Sequence, residues 1–208
     1  MSVPDRARRA QIAAIFITAA CGLSACSTDG SRDMLAGIGD AHPTDSSSAD
    51  SDKQDHNVSG PSPLGDANKE MKTQRPPAPA RLMVTNMRIG QHPGFERVVF
   101  DLEGEGQPGW FVDFQDQPTQ QGSGKRINYY GATALNVNID GTVLPYELGK
   151  DDPALGTMTG YGSLITEVTS AGTFEGRSQF IIGLDQAHPY SVEVLDNPKR
   201  VVIDILDR

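Results

Sequence analysis

The stretches RVVFDL at residues 97–102 and RVVIDI at residues 200–205 are nearly identical, and together they decide the fold. In both, apolar side chains recur at every second position, with arginine at the start and aspartate near the end. A repeat of two residues is typical of a β-strand, because successive side chains point to opposite faces. Each stretch is therefore predicted to be a strand with one apolar face and one face that carries charges.

The repetition itself has three possible explanations. If the two strands are antiparallel neighbours and Arg97 lies opposite Asp204, then Asp101 lies opposite Arg200, and opposite charges meet at both ends. A parallel pairing would place like charges together. Alternatively, the stretches occupy equivalent positions in two half-domains, one in each sheet, that meet across the core, or the similarity is a coincidence between two half-exposed strands.

The rest of the chain from residue 81 onward has the same character. Runs of alternating apolar residues recur at short intervals and are separated by turn residues, and no long stripe of helical period is present. The predicted strands lie at residues 82–89, 97–102, 110–115, 135–139, 164–169, 179–184, 190–195 and 200–205. The dipeptide Asp140-Gly141 predicts a hairpin turn into a further strand at residues 142–146.

About eight short strands without helices predict an all-β fold, an antiparallel β-sandwich, with a closed barrel as the alternative. The apolar positions of these strands define the predicted core. Its members are Val98, Phe100, Leu102, Trp110, Val112, Phe114, Leu135, Val137, Ile139, Phe180, Ile182, Val192, Val194, Val201, Ile203 and Ile205.

The N-terminus has the features of an export signal. Arginines at positions 6, 8 and 9 precede an apolar run at residues 12–23, which is short for a membrane-spanning helix. The run ends in Leu23-Ser24-Ala25-Cys26, which resembles the bacterial lipobox, whose cysteine receives a lipid such as palmitate and becomes the mature N-terminus. Cys21 would be removed with the signal, so Cys26 would be the only cysteine of the mature chain. Residues 1–25 are thus predicted to be a lipoprotein signal peptide.

Residues 26–80 are predicted to be the lipidated cysteine followed by a disordered linker. The segment is rich in Ser, Asp, Gly and Pro and nearly lacks aromatic residues, so it buries too little apolar surface to offset the entropy of ordering. The folded domain is predicted at residues 81–208. We expect it on the extracellular face of the cell membrane, held by its lipid.

Composition argues against nucleic acid as a partner. The formal net charge is −9 and the sequence pI is about 4.8, so phosphate backbones and anionic polymers are repelled.

Catalytic motifs are also missing. His92 and His188 each stand before proline and suit a turn role, and Ser123 lacks the outer glycine of a GxSxG nucleophile elbow. We predict no enzymatic activity, no metal site and no cofactor.

The sequence does contain residues of the types that bind sugars. Sugars are bound by aromatic ring faces, with amides and hydroxyl groups at their edges, and loops on a rigid sandwich commonly carry such groups. The same residues also suit core packing or a solvated loop. The candidate ligand-binding residues are Trp110, Gln120, Gln121, Ser123, Tyr129, Tyr130 and Tyr161.

Five short motifs, in order, resemble one family. HPGFERVVFDLEG at residues 92–104 and LDNPKRVVIDIL at residues 195–206 are similar to the first and last strands of the AMIN domain. PGWFV at residues 108–112, QGSG at 121–124 and the FEG and GLD pair at 174–176 and 183–185 bring the chain closer to actinobacterial AMIN-like lipoproteins. The resemblance implies a β-sandwich that binds peptidoglycan and acts as a targeting module in the bacterial envelope, although the chain ends after the last strand, without the amidase domain that the family often carries.

Taken together, the sequence predicts a lipid-anchored envelope protein whose single domain binds cell-wall glycan without catalysis. The alternative is a scaffold that recruits another envelope protein through a sheet edge or a polar strand face.

Overall fold

The computed structural model describes residues 60–208. Their ten β-strands form two antiparallel sheets that pack into a sandwich, in agreement with the predicted fold class. The six-stranded sheet has the order β1-β4-β5-β8-β7-β6, and the four-stranded sheet has the order β2-β3-β10-β9. The strands are β1 (Lys72–Gln74), β2 (Arg81–His92), β3 (Phe95–Glu105), β4 (Gly109–Phe114), β5 (Thr133–Asp140), β6 (Thr157–Thr159), β7 (Ile165–Phe174), β8 (Arg177–Leu184), β9 (Tyr190–Leu195) and β10 (Arg200–Leu206), with one 3₁₀ helix at Pro145–Leu148.

The predicted signal peptide, Cys26 and the first part of the linker lie outside the described residues.

The two similar hexapeptides are antiparallel neighbours in the four-stranded sheet. Strand β3 pairs with β10 in the register that sets Arg97 opposite Asp204 and Asp101 opposite Arg200. The paired-neighbour explanation is therefore confirmed, and the placement in two separate sheets is wrong. Asp101, however, accepts its short hydrogen bond from Arg88 on β2, at 2.7 Å, rather than from the facing Arg200.

The inner faces of the two sheets form one apolar core. Phe100 of the small sheet packs against Phe180 of the large sheet, with tilted rings whose centroids are 4.5 Å apart. Every predicted core residue is buried in this core or packs against it, with Phe114 and Val194 only partly buried. The core also contains residues that the sequence analysis left out, mainly from β2 and from the start of β7: Leu82, Val84, Met87, Leu164, Ile165, Val168, Leu184 and Tyr190.

Residues 60–74, which we refer to as the N-terminal strap, lie against the domain. The backbone N–H of Leu64 donates to Asp204 Oδ2 at 2.7 Å, and Asn68 forms an antiparallel bridge with Tyr190 at the edge of the small sheet. The strap then adds β1 to the edge of the large sheet, beside β4. The prediction of disorder up to residue 80 is wrong for this part, because backbone hydrogen bonds order a segment that has few apolar side chains.

The hairpin predicted at Asp140-Gly141 does not form. Gly141 has a positive φ of 85°, as a turn requires, but the backbone N–H groups of Gly141 and Thr142 donate to Gly176 O. Val143 N then donates to Leu82 O, so the chain leaves the large sheet and crosses to β2. A 3₁₀ helix that begins at Pro145 takes the place of the predicted strand.

Among the described residues no helix has the length and apolar character needed to cross a bilayer.

Candidate ligand-binding surface

The outer face of the six-stranded sheet carries a row of buried amide side chains. Asn136 Nδ2 donates to Asp113 Oδ1 at 3.1 Å, and Gln179 Nε2 donates to Asn136 Oδ1 at 2.9 Å. Asn136, Asn138 and Gln179 are at most 5% exposed although they do not face the core. Polar side chains of this kind are stable when buried only if they are hydrogen-bonded, and here they bond to one another and to the loop above them.

The loop of residues 115–132, between β4 and β5, covers this row. Gln121 donates through its backbone N–H to Gln179 Oε1 at 3.0 Å and through Nε2 to Asn138 Oδ1 at 2.6 Å. Gln179 Nε2 also donates to Thr119 O. Gln120 Nε2 donates to Ala171 O on β7 at 2.9 Å. The loop is therefore fixed to three strands of the sheet, and the two predicted glutamines do much of the fixing.

A groove of about 250 Å³ lies between this loop and the end of β7. Ser123 is exposed at its rim and donates from Oγ to Gln120 Oε1 at 2.8 Å. The ring of Phe174 forms an apolar wall and is 46% exposed. Gly122 has a φ of 74°, and a Cβ there would stand 2.9 Å from the Phe174 ring, so glycine is required for the loop to approach it.

A second groove, of about 300 Å³, lies on the other side of Phe174. Its polar wall is an ion pair between Arg177 and Asp140. The two residues are directly opposite each other on the neighbouring strands β8 and β5. Gln121 and Phe174 line both grooves. We call the two together the Phe174 groove: one exposed aromatic ring with an amide, hydroxyl groups and a charged pair around it.

The structure brings together three of the seven predicted binding residues, namely Gln120, Gln121 and Ser123. Trp110 is 9% exposed and packs in the core, so its assignment as a ligand-binding residue is corrected. Tyr129 lines a separate depression and donates from its hydroxyl to Asp116 O at 3.2 Å. The predicted residues therefore do not share one site.

Tyr130 and Tyr161 lie near the opposite end of β7 and are 75% and 80% exposed. Tyr130 N donates to Glu167 Oε1 at 3.0 Å, and Thr166 Oγ1 donates to Tyr130 O. Gly160, the neighbour of Tyr161, donates to Thr166 O at 2.8 Å. Both tyrosines are thus presented from backbone that is bonded at Thr166.

Glu96, which was not predicted from the sequence, holds the same end of the domain together. Its carboxylate is 5% exposed and accepts backbone N–H bonds from Ser163, Leu164 and Ile165, at 2.8, 3.1 and 3.0 Å. Because Glu96 belongs to β3, these bonds tie the loop before β7 to the other sheet. A glutamate at an inner position between Phe95 and Arg97 was the available signal, but its partners are some 70 residues away in sequence.

Phe174 was missed for a different reason. In an alternating strand, a phenylalanine is usually assigned to the core. The available signal was Glu175-Gly176, a turn directly after it, with φ values of 46° and 81°. Side chains beside such a turn lie at the end of the sheet, where coverage is incomplete.

The two domain histidines have separate partners. His92 stacks on Phe95 with ring centroids 4.6 Å apart, and the buried His188 bonds through Nε2 to Asp185 Oδ1 at 2.8 Å. Within residues 60–208, no group of three or more His, Cys, Asp or Glu side chains is arranged to hold a metal ion.

Comparison with known proteins gives one family. No curated protein and no solved structure matches the chain. The model of the AMIN-like domain matches residues 82–207, which is most of the described sandwich and more than half of the whole chain. The chain therefore belongs to the AMIN-like domain family, which is associated with peptidoglycan binding and with targeting in the cell envelope.

Proposed function

We propose that this protein is a non-catalytic module of the cell envelope that binds cell-wall glycan at the Phe174 groove. The observation that carries the proposal is the exposed ring of Phe174 beside Gln121 and Ser123 on a loop fixed to the sheet. A sugar ring has apolar C–H faces and polar edges, so it fits an aromatic ring with amide and hydroxyl groups around it. Because the supporting amides are buried and bonded, the site needs little ordering on binding.

Charge favours an uncharged glycan as the ligand. The whole chain has a formal net charge of −9, and the only strong cation in the groove, Arg177, is already paired with Asp140. A polyanion such as a phosphate-containing wall polymer would be repelled at low salt. The amides and hydroxyls of the groove suit the hydroxyl and acetamido groups of a neutral sugar chain.

The proposal includes a lipid anchor at Cys26 and a location on the outer face of the cell membrane. Support comes from the basic residues, the apolar run and the Leu-Ser-Ala-Cys motif at the N-terminus. A single lipidated chain terminus would keep the glycan-binding domain close to the membrane.

A sedimentation experiment tests the glycan proposal. The chain from residue 26 onward, with Cys26→Ser, is mixed with purified cell-wall glycan, and the bound fraction is measured. We expect Phe174→Ala to weaken binding at least about tenfold, which corresponds to about 1.4 kcal/mol. The matched control is Tyr146→Ala, which removes an aromatic ring that is 73% exposed and does not line the groove, and which should bind normally.

Equal binding by the two variants would exclude the Phe174 groove. Failure of the parent protein to sediment over a range of salt concentrations would exclude glycan binding altogether.

One observation favours the protein-scaffold alternative. Strand β2 is an edge of the small sheet, and in residues 60–208 its second half pairs only with β3. An edge of this length can accept an extended strand from another protein. Replacement of Ile89 by proline should then abolish recruitment of an envelope protein to the membrane, while Phe174→Ala leaves that recruitment unchanged.

A further inference from the structure

We infer that the ligand is an extended glycan chain laid along strands β6 and β7, and not a single sugar or a chain end. This inference rests on the proposed function and specifies its ligand. The exposed aromatic residues lie at the two ends of β7: Phe174 at one end, and Tyr130 and Tyr161 near the other.

Phe174 is the last residue of β7, and Thr166, which fixes Tyr130 and Gly160, is the second. A strand rises about 3.3 Å per residue, so the eight steps between these positions span roughly 26 Å. One sugar ring cannot contact both ends. A chain of several rings can, and each end then contributes contacts to the same molecule.

The outer face between the two ends is polar and open. Thr157 of β6 and Thr169 of β7 lie opposite each other, with their hydroxyl oxygens 3.1 Å apart and exposed. Thr159 is the next cross-strand neighbour, opposite Glu167. The loop of residues 115–132 covers the row on β5 and β8. Its bonds to β7 lie toward the two ends of that strand, at Ala171 O and at Thr166 and Glu167. Hydroxyl groups of the threonines are suited to the hydroxyl groups of successive sugars.

The aromatic residues at both ends are presented from fixed backbone. Tyr130 is bonded through both its N–H and its carbonyl, and the loop that carries Tyr161 is held by the three N–H bonds to Glu96. At the other end, the approach of Gly122 restricts the Phe174 ring. Exposed rings on rigid backbone lose little entropy when a ligand covers them, which is what a binding platform requires.

The test uses linear N-acetylglucosamine oligomers as probes, with the chain from residue 26 onward carrying Cys26→Ser. Affinities for the dimer, tetramer and hexamer are measured by calorimetry. We expect the hexamer to bind at least about tenfold more tightly than the dimer. The double variant Tyr130→Ala/Tyr161→Ala should remove this advantage and leave dimer binding at the Phe174 groove unchanged, and Tyr146→Ala is the control.

The outcomes separate the two proposals. If dimer and hexamer bind equally, and Phe174→Ala weakens both, the extended site is wrong and the Phe174 groove stands. If the hexamer advantage persists in the double tyrosine variant, the extended site is also wrong. If purified cell-wall glycan binds but Tyr130→Ala/Tyr161→Ala does not weaken its binding, the same conclusion follows. Absence of binding to every oligomer and to the wall overturns the proposed function itself.

Discussion

At the scale of single residues, the ion pair of Arg97 and Asp204 has an unusual position. Arg97 Nε donates to Asp204 Oδ1 at 2.6 Å, Nη2 donates to Oδ2 at 2.8 Å, and the Asp204 side chain is completely buried. Hydrogen bonding to Asp204 raises the pKa of Arg97 above its ordinary value. Leu64 supplies a further N–H to the same carboxylate, so this buried charge is well compensated.

Removal of the arginine should therefore be costly. We expect Arg97→Ala to lower the free energy of unfolding by about 3–5 kcal/mol, because a buried carboxylate loses its cation. Arg88→Ala is the matched control: it breaks a similar pair with Asp101, but the Arg88 side chain is 53% exposed, so the loss should be about 1 kcal/mol or less. Urea unfolding measures both values, and equal losses would contradict the argument.

Tyr190 gives a pH-dependent prediction. Its side chain is fully buried, and its hydroxyl lies 2.9 Å from Val112 O and 2.8 Å from Glu70 O. Burial, and then the charge of Asp113, raise the pKa of Tyr190 well above its ordinary value of 10.0. The unfolded chain loses this proton at a lower pH than the folded chain. The stabilising effect of the neutral hydroxyl is thus complete below about pH 10 and decreases as the pH rises further.

Tyr190→Phe should lower stability at neutral pH by about 1–2 kcal/mol, because a hydroxyl donor is lost. Above pH 10, the variant should lose stability more slowly than the parent protein, since phenylalanine has no proton to release. Tyr146→Phe, at an exposed position, should behave like the parent protein at every pH. Thermal unfolding at a series of pH values checks this, and parallel curves for parent and Tyr190→Phe would refute it.

At the scale of the strands and loops, the periodicity of the sequence predicted the positions of the strands, but the turn residues did not predict how the strands are connected. The eight alternating runs at residues 82–205 all lie in strands to within one residue, because a two-residue repeat follows directly from having one buried face. The turn at Asp140-Gly141 was misleading, since a local turn preference does not determine which strand comes next. Gln179 is buried on an outer face because a loop about 60 residues away in sequence covers it, and no local signal in sequence reports such coverage.

The candidate site, too, could be predicted from the sequence only in part. The amides and Ser123 in the loop of residues 115–132 could be predicted from residue type, because polar groups beside flexible glycines are typical of binding loops. The aromatic member could not, because Trp110 and Phe174 both follow a strand alternation, and only the tertiary structure decides that the first is buried and the second is exposed.

The loop before β7 gives a prediction at this scale. In Glu96→Ala, the backbone N–H groups of Ser163, Leu164 and Ile165 lose their acceptor. We expect a loss of about 2–4 kcal/mol in stability and faster hydrogen exchange at these three amides. Glu103→Ala is the control, because Glu103 lies on the same strand but is exposed, in a pair with Lys150. Unchanged exchange at residues 163–165 would show that Glu96 does not hold the loop.

At the scale of the whole molecule, the sandwich extends further toward the N-terminus than composition suggests, because the strap at residues 60–74 pairs with it. The strap contacts the outer face of the small sheet at Asp204, its edge at Tyr190 and the edge of the large sheet at β4. Sequences that lack apolar residues are predicted as disordered, but backbone pairing with a sheet edge depends little on side chains.

The proposed anchor can be tested on whole cells. We expect Cys26→Ser to abolish labelling by a palmitate analogue and to release the protein from the membrane fraction, because the thiol that carries the lipid is absent. Cys21→Ser should have no such effect, since this residue lies in the apolar part of the predicted signal. Labelling that persists in Cys26→Ser, or that is lost in Cys21→Ser, would place the lipid elsewhere or exclude it.

The strap also has a mechanical consequence. In the proposed arrangement the membrane holds one end of the chain and the wall holds the sandwich, so any tension enters the domain through the strap. Along the strap it would meet the Ser62 and Leu64 bonds to the Arg97–Asp204 pair, then the Asn68 bridge to Tyr190, and then the pairing of β1 with β4. These contacts would break one after another before the core strands bear load. The strap would therefore detach first, and the glycan-binding face would stay folded while the distance between wall and membrane increases.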